Sequence, residues 1–292
     1  MRHMNQFGAL LVVLSLALVA CGDGEGEVDG GIPPILEPEP VGAPTLLAEG
    51  RLTCLGRNTP TAPGRTTLTL PGWVRKFADP DNETKSQPPA QVEAFDETGL
   101  SIGSSFSDTG TGRVALTVPI RQAGFSGSVK VSADGYVEQR LFFSRPTTKT
   151  DATTDPTGWA WMLTPTELAD LAEEAGVTLD PAKGTVVGAV HDCLSVYGVA
   201  NAVVRYGNRT DGVAYFEGKR FFKDFAVAPM RTFTSPMGRF AIANATPGPL
   251  TIEAFGRLVA NGPLTLLSRA DVVVEAGVIS AVDLEPRVGT DR

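Results

Sequence analysis

Histidine, the side chain most often used in catalysis, occurs only twice in this 292-residue chain. His191 is the single histidine beyond residue 20, and zinc and iron sites normally take several histidine or cysteine ligands. Asp192 follows His191 directly, but neighbouring side chains on a strand point to opposite faces. A hydrolase that uses His191 is therefore only the third interpretation, and the sequence predicts no enzyme, no catalytic residue and no cofactor.

A group of acidic residues offers the one candidate for metal binding. Asp79, Asp81 and Glu83 place three carboxylates within five residues, and calcium prefers such oxygen ligands. The segment lacks the regular ligand spacing and the glycine of an EF-hand loop. We therefore expect a solvated turn and no metal site, and we keep calcium as the alternative.

Aromatic residues form a candidate binding surface. A hairpin is predicted around Glu217–Gly218, and two tryptophans precede a predicted helix. Exposed aromatic patches mark contact surfaces, although the same side chains could pack within or between domains, and both alternatives remain open. The candidate residues are Trp159, Trp161, Tyr215, Phe216, Phe221, Phe222 and Phe225.

The first 20 residues have the layout of a secretory leader. Arg2 lies in a short polar start, and an apolar run follows from Phe7 to Val19, too short to span a bilayer. The sequence Leu18-Val19-Ala20-Cys21 resembles the lipobox of bacterial lipoproteins. This resemblance implies cleavage before Cys21, attachment of fatty acyl chains such as palmitate to it, and a stable membrane anchor. We expect a location at the bacterial outer membrane or cell surface, with the periplasmic face as an alternative.

The remaining cysteines, Cys54 and Cys193, are expected to form a disulfide. A chain that leaves the reducing cytosol can keep such a bond. The bond would tie the start of one predicted domain to the start of the next. Two buried free thiols are the alternative, because the sequence does not show that the two Cα atoms lie close together.

Charge and composition limit the partners. The net charge is −8, and this argues against nucleic acid, which selects for basic patches. Residues 21–45 form an acidic tether rich in glycine and proline, which cannot bury enough apolar surface to fold and should stay extended. The predicted partners are the membrane, through Cys21, and an envelope protein or polysaccharide.

The rest of the chain is predicted to be mainly β. Short period-two alternations such as Leu68/Leu70 and Val129/Val131, separated by turn residues, indicate two small Greek-key β-sandwiches at 46–148 and 183–287. The linker at 149–182 contains one helix at 165–175, with Thr164 as N-cap and Glu167 completing a capping box. This helix should lie against one or both sandwiches, because a short amphipathic helix is not stable alone.

The stretch from Lys183 to Arg205 resembles the first two strands of the carboxypeptidase regulatory-like family, a prealbumin-type sandwich. The matching residues are Gly188, Val190, Asp192, Gly198, Ala202 and Val203. In the first half, Asp134-Gly135-Tyr136 resembles the corner near that family's last strands. The segment 112–116 is echoed by 238–242, which indicates two diverged copies of one sandwich. Such sandwiches are accessory to the catalytic domain in metallocarboxypeptidases, so the resemblance implies a scaffold.

Together these features predict a non-catalytic cell-envelope lipoprotein that acts as a protein- or polysaccharide-binding or structural module. A rigid spacer or scaffold subunit of an envelope complex is the alternative.

Overall fold

A computed structural model describes residues 52, 54–55, 64–77, 87–121, 124–144, 160–193, 198–217, 226–227, 231–259 and 262–286. All of these residues belong to one compact unit, Ile35–Arg292. Several predicted features lie outside the described residues: the leader, Cys21 and the tether, the acidic group at Asp79, Asp81 and Glu83, and the aromatic residues Trp159, Phe221, Phe222 and Phe225.

The first half of the chain forms a β-sandwich. Its strands are β1 (Thr67–Lys76), β2 (Gln91–Phe95), β3 (Ser101–Phe106), β4 (Arg113–Pro119), β5 (Ser128–Ser132), β6 (Gln139–Phe143) and β7 (Ala160–Met162). Strands β4, β1 and β7 form a three-stranded sheet, and β6, β5, β2 and β3 lie in a second sheet. The predicted alternation holds, since Leu68, Leu70, Val129 and Val131 are buried in the core between the sheets.

The single helix among the described residues, α1, spans Pro165–Glu174, as the capping box predicts. The Thr164 hydroxyl accepts a hydrogen bond from the Glu167 amide, and the Glu167 carboxylate accepts one from the Thr164 amide. Gly176, with φ of 70°, follows the C-cap residue Ala175. No helix in the described part of the chain is long and apolar enough to cross a membrane.

The second half forms another sandwich. Its strands are β8 (Gly184–Val190), β9 (Val203–Tyr206), β10 (Val213–Glu217), β11 (Ala226–Val227), β12 (Arg239–Ala245), β13 (Gly248–Arg257), β14 (Leu264–Val274) and β15 (Ile279–Leu284). Strands β8 and β9 lie in different sheets and share only the bridge between His191 and Gly198, so they do not form a hairpin. The prediction of a mainly β, sandwich-type fold is confirmed.

Both halves use the same strand pairing. In the first, β1 pairs antiparallel with β4 and parallel with β7, while β5 pairs antiparallel with β2 and β6. In the second, β8 pairs antiparallel with β12 and parallel with β15, while β13 pairs antiparallel with β9 and β14. The echoed segments open the equivalent strands β4 and β12. The two halves therefore repeat one topology.

A glycine precedes each of these equivalent strands. Gly112 and Gly238 adopt φ of 71° and 69°, and the Gly112 carbonyl accepts a hydrogen bond from Val74 just as the Gly238 carbonyl does from Val190. A Cβ at either glycine would overlap the carbonyl oxygen of that same valine. Both the backbone angle and the close approach therefore require glycine.

One sheet runs through both sandwiches. Its nine strands lie in the order β11-β10-β12-β8-β15-β6-β5-β2-β3. The two halves meet where β15 pairs in parallel with β6, from Ile279 opposite Gln139 to Asp283 opposite Phe143. The domain boundaries near residues 148 and 183 stay a prediction, and the sheet continues across them.

Side chains reinforce this junction between β6 and β15. The Arg140 guanidinium forms an ion pair with Glu275, with Nη1 and Oε1 2.6 Å apart. A small apolar cluster joins Val137 of the first half, Ile279 of the second and Leu163 before the helix, and Leu168 and Leu171 of α1 pack against it. The helix was expected to pack against one or both sandwiches, and its apolar side chains pack on a cluster drawn from both.

The predicted disulfide is present. Cys54 and Cys193 are bonded, with their Cα atoms 5.7 Å apart and 139 residues apart in the sequence. The bond joins the segment before the first sandwich to the end of β8 in the second. It therefore constrains the unfolded chain over a long loop.

We predict that Gly112→Ala destabilises the protein by at least about 3 kcal/mol, because it combines the cost of a positive φ with overlap against the Val74 carbonyl. Gly135→Ala is the matched control, since Gly135 has φ of 81° but open space around the Cβ position. It should cost about 1–2 kcal/mol. Urea unfolding of both variants measures the difference, and equal costs would contradict the close approach at Gly112.

Replacing both Cys54 and Cys193 by serine should lower the free energy of unfolding by about 2–5 kcal/mol, because the unfolded chain gains entropy. Chemical denaturation of the variant and of wild type, each with and without dithiothreitol, gives the comparison. The reductant should destabilise only the wild type. A wild type insensitive to reductant would show that the bond does not form.

Candidate binding site

His191 lies beside an aspartate on a neighbouring strand. Its Nε2 lies 3.1 Å from Oδ1 of Asp283 in β15. Asp192, the next residue in the sequence, is fully buried. The sulfur of Cys193 is bonded to Cys54, so it is not a free nucleophile for this histidine. Among the described residues, no group of three or more His, Cys, Asp or Glu side chains could hold a metal ion.

Asp283 also interacts with Arg239. Both residues lie opposite Ala189 in the sheet, one on each neighbouring strand. Burial lowers the pKa of Arg239 to about 10, and the charge of Asp283 opposes this shift. Asp283 thus interacts with both a histidine and an arginine, and its negative charge is balanced within the sheet.

Two residues of the candidate aromatic surface are buried, which corrects the interpretation of the hairpin. Tyr215 is 2% exposed and Phe216 is 7% exposed, although they are consecutive and point to opposite faces. The Tyr215 hydroxyl accepts a hydrogen bond from the Val204 amide at 2.9 Å, and burial raises the pKa of Tyr215. Both faces of β10 are covered, so neither side chain can serve as a contact surface. The returning strand is Ala226–Val227.

Trp161 is half-buried and lies on the outer face of the β4-β1-β7 sheet. It sits opposite Arg75 in the register between β7 and β1. The guanidinium of Arg75 lies 4.3 Å from the ring of Trp73, and that of Arg113 lies 4.8 Å from the same ring. Trp73, which the sequence did not single out, is therefore stacked between two arginines. A binding role for Trp161 stays a prediction.

A groove on the opposite sheet of the first sandwich is a stronger candidate. It has a volume of about 410 Å³. It lies on the outer face of the sheet, where β3 and β5 end and β2 begins. Phe106, Gln91 and Ser132 form a row across these strands, because Gln91 lies opposite both of the others. The groove is lined by Pro89, Gln91, Phe106, Ser132, Ala133, Asp134, Tyr136 and Glu138.

A β-bulge turns Phe106 outward. The pairing of β2 with β3 shifts between Ala94, opposite Gly103, and Phe95, opposite Ser101, so Ile102 has no partner. Ile102 packs against the core, and strict alternation would place Phe106 on the same face. The extra residue reverses the alternation, and Phe106 is 70% exposed.

The groove also contains polar groups without partners. The side chains of Gln91, Asp134 and Tyr136 make no hydrogen bond or ion pair with other described residues. Glu138 is already paired, with its Oε2 2.9 Å from Nζ of Lys130. In the sequence, Asp134-Gly135-Tyr136 was noted only for its resemblance to a corner of the carboxypeptidase regulatory-like family. Nothing in the sequence pattern marks Phe106, because the bulge that exposes it leaves no local signal.

Comparison with known proteins identifies no family. No protein-family model matches the chain, and no curated protein matches it. Among solved structures, the Bacillus anthracis TIE protein is 12% identical with a TM-score of 0.22, and the match covers 76% of this chain and 34% of that one. A streptococcal ancillary pilin is 9% identical, with a TM-score of 0.20 and coverage of 77% and 63%.

The BSP domain of a biofilm-associated protein is 11% identical, with a TM-score of 0.15 and coverage of 71% and 30%. The chain therefore spans less than two thirds of the length of each of these structures. The TM-scores are too low for any argument about function.

The stacking around Trp73 gives a testable coupling. A double-mutant cycle of Trp73→Leu with Arg113→Gln should yield an interaction free energy of about 0.5–1 kcal/mol, the value expected for an exposed cation–π pair. A control cycle with Arg209→Gln, in the second sandwich and 62% exposed at its side chain, should yield none. Thermal and chemical denaturation of the variants provide the values. A zero coupling for Arg113 would contradict the stacking.

Proposed function

We propose that this chain is a non-catalytic lipoprotein of the bacterial cell envelope that acts as a rigid binding or structural module. The observation that carries the proposal is the nine-stranded sheet shared by two sandwiches and reinforced by a disulfide. Strand pairing continues across the β6–β15 junction, and a body of this kind on the predicted tether would present a surface in a fixed orientation.

The sequence supports membrane attachment. Leu18-Val19-Ala20-Cys21 follows an apolar leader and precedes the acidic tether, the arrangement expected when Cys21 carries the lipid. The disulfide is compatible with this location, because such bonds persist outside the reducing cytosol. The module would then lie at the outer membrane or cell surface, or face the periplasm.

We further propose that both sandwiches are diverged copies of the carboxypeptidase regulatory-like domain. Their shared pairing scheme supports this, and so does the packing of the motif glycines. A Cβ at Gly188 would lie 2.6 Å from the Val282 carbonyl oxygen, and one at Gly198 would overlap Met237. These glycines are thus needed where strands and loops of the sandwich pass close together.

Two roles are considered for this module: binding a ligand, and acting as a spacer or scaffold subunit. A binding role, with an envelope protein or a polysaccharide as ligand, is supported by the groove around Phe106. The role of spacer or scaffold subunit is supported by the burial of Tyr215 and Phe216, which removes two aromatic side chains from contact with a partner. A hydrolase using His191 has less support, since Cys193, two residues further on, is bonded to Cys54 and cannot serve as its nucleophile.

Replacing Cys21 by serine tests the anchor. We expect wild type to label with radioactive palmitate and to sediment with membranes, whereas Cys21→Ser does neither, because a serine accepts no thioether-linked lipid. The Cys54→Ser/Cys193→Ser variant is the matched control and should remain labelled and sedimentable. Equal labelling of wild type and Cys21→Ser would contradict anchoring at Cys21.

A further inference from the structure

We propose that the groove around Phe106 binds a polysaccharide whose sugars are uncharged or carry amines. The inference rests on the proposed function and specifies its ligand. The relevant features are an exposed aromatic ring, accessible polar groups beside it, the local charge and the position of β3 at the end of the sheet.

Phe106 supplies an apolar platform. The side chain is 70% exposed although it belongs to a regular strand, and the backbone position is fixed by pairing with Gln91 in β2. Sugar rings have an apolar face of C–H groups that can cover such a ring and remove its area from water. Because the Phe106 backbone is held in a strand, its side chain loses little conformational entropy when a sugar ring covers it.

Polar groups beside Phe106 match the rim of a sugar ring. The Gln91 amide can donate and accept hydrogen bonds, the Tyr136 hydroxyl can do both, and the Asp134 carboxylate accepts. Gln91 and Asp134 are exposed and Tyr136 is half-buried, so a ligand can reach all three. Tyr136 packs against the first core, which fixes its position. The groove lining is thus mostly polar, with the rings of Phe106 and Tyr136 as aromatic surface, a composition that suits a hydroxyl-rich sugar.

Charge selects among polysaccharides. Asp134 and Glu138 line the groove, none of the lining residues is basic, and Glu138 is paired with Lys130. The whole chain carries a net charge of −8. A polyanion would therefore be repelled, whereas hydroxyl and amine groups are compatible with the carboxylates.

The position of the groove favours a polymer. Strand β3 lies at the end of the nine-stranded sheet, so the groove is not closed by another strand on that side. The row Phe106–Gln91–Ser132 crosses three strands, a span of about 10 Å at the usual strand spacing. A long chain could lie along this row and continue past the edge of the sheet.

The test uses the full-length protein, expressed with its leader and purified from whichever cell fraction holds it. Calorimetric titration with N-acetylglucosamine hexasaccharide, glucosamine hexasaccharide and dextran sulfate provides an uncharged, a cationic and an anionic probe. Phe106→Ala should bind at least about tenfold more weakly than wild type, as expected for truncation of a central aromatic contact. Leu100→Ala is the matched control, because Leu100 is 64% exposed at the other end of β3.

The two saccharides identify the ligand chemistry. Tighter binding of the amine form, lost in Asp134→Asn, assigns a cationic polysaccharide, and tighter binding of the N-acetyl form assigns an uncharged one. Equal binding of both supports the groove as a site that accepts either form. Three results would overturn the inference: no binding of either saccharide, equal affinity of Phe106→Ala and wild type, or tighter binding of dextran sulfate. If the protein is labelled by palmitate but binds no saccharide, this inference is overturned and the lipid anchor stands. If the protein binds a saccharide but is not labelled, the anchor is overturned and this inference stands.

Discussion

The parallel pairing of β6 with β15 is the constraint on which the rest of this structure depends. Each sandwich has its own core, but the last strand of the second half continues the sheet of the first. Without this pairing, β6 and β15 would both be edge strands with unpaired amide and carbonyl groups. The chain avoids two exposed edges by joining them, and this fixes the orientation of the sandwiches.

Other features act around that pairing. The helix packs Leu168 and Leu171 onto a cluster drawn from both halves, and the Arg140–Glu275 ion pair crosses the same boundary. The disulfide between Cys54 and Cys193 adds a covalent link between the segment before the first sandwich and the second sandwich. The groove around Phe106 lies at the opposite end of the sheet from β11, so a rigid junction determines where that groove points.

The sequence could predict what local signals determine. Period-two alternation placed Leu68 and Leu70 in the core, and the capping box at Thr164 located the helix. Partner choice between distant strands was not predictable, because it depends on which edges meet after folding. The same holds for Asp283 beside His191 and for the bulge at Ile102 that exposes Phe106. The sequence left open whether Tyr215 and Phe216 are exposed or packed, because alternation cannot show when both faces of a strand are covered.

Native-state hydrogen exchange at the junction tests the central claim most directly. If the two sandwiches form one rigid body, the amides that pair β6 with β15 should open with the same free energy and denaturant dependence as core amides in β2 and β13. Junction amides that exchange at much lower free energy, while both cores stay protected, would instead show two independent sandwiches that only touch.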